Sequence, residues 1–242
     1  MNNDTMKLDL LAFGAHPDDV EAGCGGFLIK YAQQGKKVGI VDLSLAELST
    51  NGTIPVRMEE AKNAAHIIGA VVRENLEFPN NFFVNSKENQ EKIINVIRKY
   101  KPEIVLLPYW NDRHPDHAAS RDIIFPALFT AGLKNFISGA SFPHRPKYVF
   151  FYQLWYGFTP TFILDISKEF PVKIDAILAY QSQFVKKEGS IDTKDTNPAF
   201  LKYIEARHRN SGYEIGVEYG EAYASATPLG IKDMQSLLPN YD

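Results

Sequence analysis

Two short stretches concentrate the metal-binding and proton-moving side chains of this chain: Ala15-His16-Pro17-Asp18-Asp19-Val20-Glu21 and Arg113-His114-Pro115-Asp116-His117. A catalytic zinc site takes three protein ligands and keeps a fourth position open. His16, Asp19 and His117 offer two imidazoles and a carboxylate for that purpose. His16 and Asp19 are three residues apart, so a single turn aims both at one point, and His117 closes the site from the second stretch. Zinc lowers the pKa of water from 15.7 to about 7, which favours hydroxide by roughly 12 kcal/mol and makes a nucleophile without Ser or Cys. Asp18 is left as a general base. His114 is left to donate to a developing oxyanion or a leaving group, with Asp116 orienting its ring. This set serves hydrolysis of an amide, an ester or a phosphoester. Taken alone, His-Pro-Asp-Asp is also an ordinary turn former. What favours a metal is two such stretches meeting.

The elements that must position these stretches follow from the apolar pattern. Short runs at Leu8–Phe13, Lys37–Leu43, Val71–Phe78 and Glu103–Leu107 read as strands. Helical spacing fills Ala22–Gln34, Pro55–Ile68 and Ser86–Tyr100 between them. The first, second and fourth runs lack alternation, as expected for strands covered on both faces. About 30 residues per unit is the spacing of right-handed βαβ crossovers. The expected fold is therefore α/β: a Rossmann-like, doubly wound, mostly parallel sheet with helices on both faces. Ligands in such sheets bind outside the carboxyl ends of the strands. Both stretches fall there, after Phe13 and after Leu107. Further on, Ala118–Ala131 reads as a helix, Lys147–Trp155 and Thr161–Ile166 as strands, and Ser167–Gln181 as a helix capped by Ser167. Val185–Asn197 reads as a surface loop, Pro198–Asn210 as a last helix, and Gly212 onward as a mixed tail. No linker or repeat interrupts the pattern, so residues 1–242 read as a single domain.

Composition narrows the function classes. At 45% hydrophobic and 23% charged, the chain is globular and not disordered. A net charge of -3 gives no basic field for a nucleic acid. No run approaches the roughly 18 apolar residues of a membrane span, and Met1–Lys7 is no signal peptide, so a cytoplasmic protein is expected. Cys24 is the sole cysteine, read as a small buried hydrophobe. His66 reads as structural, and His144 and His208 as surface groups. Gly23-Cys24-Gly25-Gly26 resembles a phosphate loop only superficially, so a nucleotide- or sugar-binding module is the weaker reading.

These residues carry a resemblance. Ala15–Glu21 together with Arg113–His117 is similar to the LmbE-like, or PIG-L-type, family of zinc-dependent N-acetylglucosamine deacetylases. The resemblance runs from the first strand to about Ser225, through Ala46–Thr53, Arg57 with Glu59-Glu60-Ala61, Tyr180–Gln183 and Gly216–Ala224. It implies one zinc per chain on His16, Asp19 and His117, with Fe2+ as an alternative metal. It implies Asp18 as base, His114 with Asp116 as its acid partner, and a homo-oligomer such as a hexamer. The Leu48-Ser49-Thr50-Asn51-Gly52-Thr53 stretch followed by Arg57 looks most like the bacillithiol-pathway branch, which deacetylates N-acetylglucosaminyl malate. Arg57 is then a substrate contact, and a guanidinium suits a malyl carboxylate because it grips two oxygens at once. Ser49 and Asn51 are candidates for sugar hydroxyls, though both also fit a plain turn. Arg113 either reaches the same pocket or pairs with Asp112. One departure stands out: relatives often carry Pro-Asp where this chain has Pro79-Asn80.

Overall fold

The computed structural model describes residues 6–137, 139 and 142–237. The elements run β1 (Leu10–Gly14), α1 (Asp19–Gln33), β2 (Val38–Asp42), α2 (Ile54–Ile68), β3 (Val72–Asn75), α3 (Lys87–Tyr100), β4 (Ile104–Pro108), α4 (Pro115–Ala131), β5 (Tyr148–Tyr152), β6 (Phe162–Asp165), α5 (Phe170–Leu178), α6 (Gln181–Phe184), α7 (Ala199–Glu214) and β7 (Gly220–Ser225). The seven strands form one sheet in the order β3-β2-β1-β4-β5-β7-β6. The first five are parallel, and β7 runs antiparallel to both β5 and β6. The expected mostly parallel α/β sheet is what the chain forms.

The central strands are buried on both faces, which is why their sequences do not alternate in polarity. Leu10 and Ala12 of β1 face one core with α1, α2, α5 and α7, and Leu11 and Phe13 face another with α3 and α4. Helix ends follow local chemistry. Thr53 and Ser86 cap α2 and α3 through their hydroxyls, and Gly69 takes the left-handed conformation that ends α2.

Three readings need correction. The tail after Gly212 contains β7, whose pairing is entirely long-range. Ser167 is not the cap of α5, which starts at Phe170 and is followed by the separate short α6. His208 is not on the surface but 2% exposed, in a buried group with Lys173 and Glu221. Glu221 also accepts from the backbone N–H groups of Gly26 and Phe27. Helix α1 has a non-helical residue at Cys24, so Glu221 receives the N–H groups freed where the helix restarts. The glycine run is therefore no phosphate loop. A Cβ on Gly23 would come within 2.2 Å of the Tyr152 ring, so glycine here permits close packing of α1 on β5.

Candidate active site

The strand order places β1 between β2 and β4, where successive crossovers leave in opposite directions. The loops after β1, β2, β3 and β4 open at the same end and surround a cavity of about 250 Å³. Gly14 lets the chain turn out of β1, since a Cβ there would sit 2.9 Å from the His16 carbonyl. Pro115 opens α4 with His114 as its cap, and His117 follows within the first turn.

The two stretches do meet. His16, His114 and His117 each bring a ring nitrogen to within 4.8 Å of the others. Asp19 lies between the two expected histidine ligands: its Oδ1 is 3.2 Å from His117 Nε2 and its Oδ2 3.5 Å from His16 Nδ1. The three imidazoles could hold one metal ion, and Asp19 reaches two of them, one with each carboxylate oxygen, so it stands beside the same position.

His16 and His117 are each backed by a carboxylate on the far nitrogen. His117 Nδ1 is 2.9 Å from Asp112 Oδ1, and His16 Nε2 is 3.1 Å from Asp116 Oδ2. A proton on each far nitrogen leaves His117 Nε2 and His16 Nδ1 free toward the metal position, the arrangement that orients ligating imidazoles. Asp112 was missed in the sequence, although it stands five residues before His117 in the loop that leads into α4. Asp116 was expected to orient His114, and here the structure differs. Its carboxylate faces His16 and also accepts from Asn80 Nδ2 and the Asn81 N–H. What His114 receives from Asp116 is the backbone N–H, onto its Nδ1 at 3.2 Å. Asn80, at the departure from the Pro-Asp pattern, is buried and its Nδ2 lies 2.9 Å from both His16 Nε2 and Asp116 Oδ2.

The charges follow from burial and neighbours. Burial pushes the Asp19 carboxyl up, but His117 and His16 outweigh it and hold it well below the usual range. Burial pushes His117 down, yet Asp19 and Asp112 carry it up to about 10 without a metal. His114 is lowered to about 4 by burial, His16 and His117, so it is neutral at pH 7. Asp18 rises to about 7, mainly through burial, against the pull of Arg57. That value lies where a general base works best. Asp18 also has φ of 125°, a costly conformation for a residue with a side chain.

Arg57 explains how that conformation persists. It is 5% exposed; its Nε and Nη2 donate to the Pro17 carbonyl and its Nη2 also to Asp18 Oδ2 at 2.6 Å. The expected two-pronged grip on a substrate carboxylate is thus largely occupied by the chain itself, leaving Nη1. Ser49 lines the cavity. Asn51 is not among its lining residues: both ends of its amide bond the Ile191 backbone, at 2.8 and 2.9 Å. It is a tether for the Val185–Asn197 segment, which returns over the site and contributes Thr193 and Asp195 to the wall. Arg113 does not pair with Asp112, whose oxygens are taken by His114, His117 and Trp155; its guanidinium stacks 3.9 Å over the Trp155 ring at the cavity. Glu21, at the end of the first stretch, turns away to Arg73 and Tyr180.

Comparison with known proteins identifies relatives of the whole fold. Residues 11–128 match the family described as PIG-L: GlcNAc-PI de-N-acetylase. The chain is 34% identical over 197 residues to a diacetylchitobiose deacetylase of Thermococcus kodakarensis, covering 75% of this chain and 72% of the relative. Among solved structures, a conserved protein of Thermus thermophilus superposes with a TM-score of 0.84 at 34% identity, covering 93% of this chain and 97% of the other. The N,N'-diacetylchitobiose deacetylase of Pyrococcus horikoshii, solved with an inhibitor, superposes at 0.78 with 23% identity, covering 89% of this chain and 82% of the other, a likeness of fold. The chain belongs to the PIG-L family of deacetylases.

Proposed function

We propose that this chain is a zinc-dependent hydrolase that removes the acetyl group from the N-acetylglucosamine part of a small conjugate. The observation that supports it most is the pair of carboxylate-backed histidines converging on Asp19, beside a strained Asp18 whose pKa is raised. A metal held by His16, Asp19 and His117 would supply Lewis acidity, both acidifying water and polarising the acetamide carbonyl. Asp18, held by Arg57, takes the proton of the attacking water and delivers it to the leaving amine nitrogen. His114 accepts at Nδ1 from the Asp116 N–H, so its proton sits on Nε2. It acts as a neutral donor to the oxygen that becomes negative. Asp112 and Asp116 keep the ligating rings in the correct tautomer. Acetate and a free aminosugar are the products.

The motif after β2 favours N-acetylglucosaminyl malate, the bacillithiol-pathway substrate, with Arg57 and Arg113 as the cations for its carboxylates. A second reading, a neutral disaccharide such as N,N'-diacetylchitobiose, is favoured by the internal use of Arg57. The activity named for the Thermococcus kodakarensis relative is consistent with it. The test is acetate release from both substrates by protein of measured metal content. About one zinc per chain, and loss of release on chelation with recovery on adding zinc, are expected. Full activity in metal-free protein would overturn the proposal.

A further inference from the structure

Asp195 lies in the segment that returns over the cavity, and its position is built. Asn51 pins Ile191 on one side. Thr193 and Thr196 bond each other reciprocally around it: the Thr193 N–H donates to Thr196 Oγ1 at 2.8 Å and the Thr196 N–H to Thr193 Oγ1 at 3.0 Å. Thr196 is 2% exposed, so the turn that presents Asp195 is anchored in the protein. Asp195 lines the same cavity as His16, Asp18 and Arg57. Its Oδ1 is buried without a hydrogen-bond partner among the described residues, and so is Arg57 Nη1. Two residues of one cavity wall thus carry a buried acceptor and a buried donor, and each atom costs free energy until it is matched. Burial pushes the Asp195 carboxyl up, with Arg113 and then Arg57 acting against it, so the two cations of this wall lie within electrostatic reach.

A sugar hydroxyl both donates and accepts, so the hydroxyls of a saccharide can satisfy an acceptor such as Asp195 Oδ1 and a donor such as Arg57 Nη1 alike. A carboxylate can satisfy only the arginine and would meet Asp195 as a like charge. We propose that Asp195 is a specificity-determining residue of this deacetylase: with Arg57 Nη1 it receives hydroxyls of a neutral saccharide and disfavours an anionic aglycone. This rests on the deacetylase reading above and sharpens its choice between the two substrates.

The test compares kcat/KM for N,N'-diacetylchitobiose and N-acetylglucosaminyl malate in the zinc-loaded wild type and in Asp195→Asn. The wild type should favour the neutral disaccharide, and Asp195→Asn should move the ratio toward the malate conjugate by about tenfold. The change should lie mostly in KM, whereas a merely structural loss would lower both substrates alike. A ratio within about twofold of wild type, or a wild-type preference for the malate conjugate, overturns the proposal. If neither substrate is turned over, the deacetylase reading fails separately; both compounds then stay intact and calorimetry reads the same ratio as affinities. Should Asp195→Asn fail to fold, Asp195→Ala provides the same comparison.

Discussion

Replacing Asp112 tests whether the carboxylates behind the histidines set the metal site. Asp112 Oδ1 serves both His117 Nδ1 and the His114 N–H, each at 2.9 Å, and its Oδ2 accepts from the Trp155 N–H at 3.0 Å. Burial pushes its carboxyl up, but the bond from His117 and that residue's charge hold it below the usual range, so it meets His117 as an anion. In Asp112→Asn one end of the group becomes a donor. Placed toward Trp155, the amide NH2 confronts a backbone N–H; placed toward His117, it confronts both the ring N–H and the His114 N–H. Either way the ring that carries Nε2 to the metal position loses its charged orienting partner. Loss of such a partner costs about 10- to 100-fold in metal affinity, or roughly 1.4–2.7 kcal/mol. The displaced His114 cap should also lower kcat at saturating zinc. The assay is competition for zinc against a chromophoric chelator, followed by acetate release with excess zinc. Asp112→Asn with wild-type zinc affinity and wild-type kcat would refute the argument.

Two further outcomes are expected. Asp18→Asn should keep its zinc but lose about 10²- to 10⁴-fold in kcat, measured as acetate release; an unchanged rate removes Asp18 as the base. His208 is lowered to about 4 by burial and the neighbouring Lys173, against Glu221, compared with about 6.5 in an unfolded chain. Below pH 6.5 the unfolded chain takes up the proton first, so stability present above that value is lost as pH falls toward 4. The loss is about 1.4 kcal/mol per pH unit, or roughly 3 kcal/mol in all. Thermal melts across this range should fall more steeply for the wild type than for His208→Gln, and parallel curves would contradict the assignment.

The amino-acid sequence alone determined the local elements and the chemical vocabulary of the site. Leu10–Phe13 and Ile104–Leu107 are uninterrupted apolar runs because both faces of β1 and β4 are buried, a local property visible without a fold. His16, Asp18, Asp19, His114 and His117 were legible because their spacing and their places after two strands are also local. The pairings across the molecule were not. Asp116 and Asp112 stand close in sequence to His114 and His117, but which ring each carboxylate meets depends on where α4 docks. Nothing near Arg57 says that its guanidinium will close on Pro17 and Asp18, and nothing near Asn51 that it will hold Ile191. The strand β7 was unreadable because Glu221, its most polar residue, looks like a surface group until Lys173 and the N–H groups of Gly26 and Phe27 surround it. Residue type and short spacing set which groups can ligate or move a proton. Only the tertiary structure decided which buried charges neutralise one another, because a desolvated ion is tolerable only beside partners brought from distant parts of the chain.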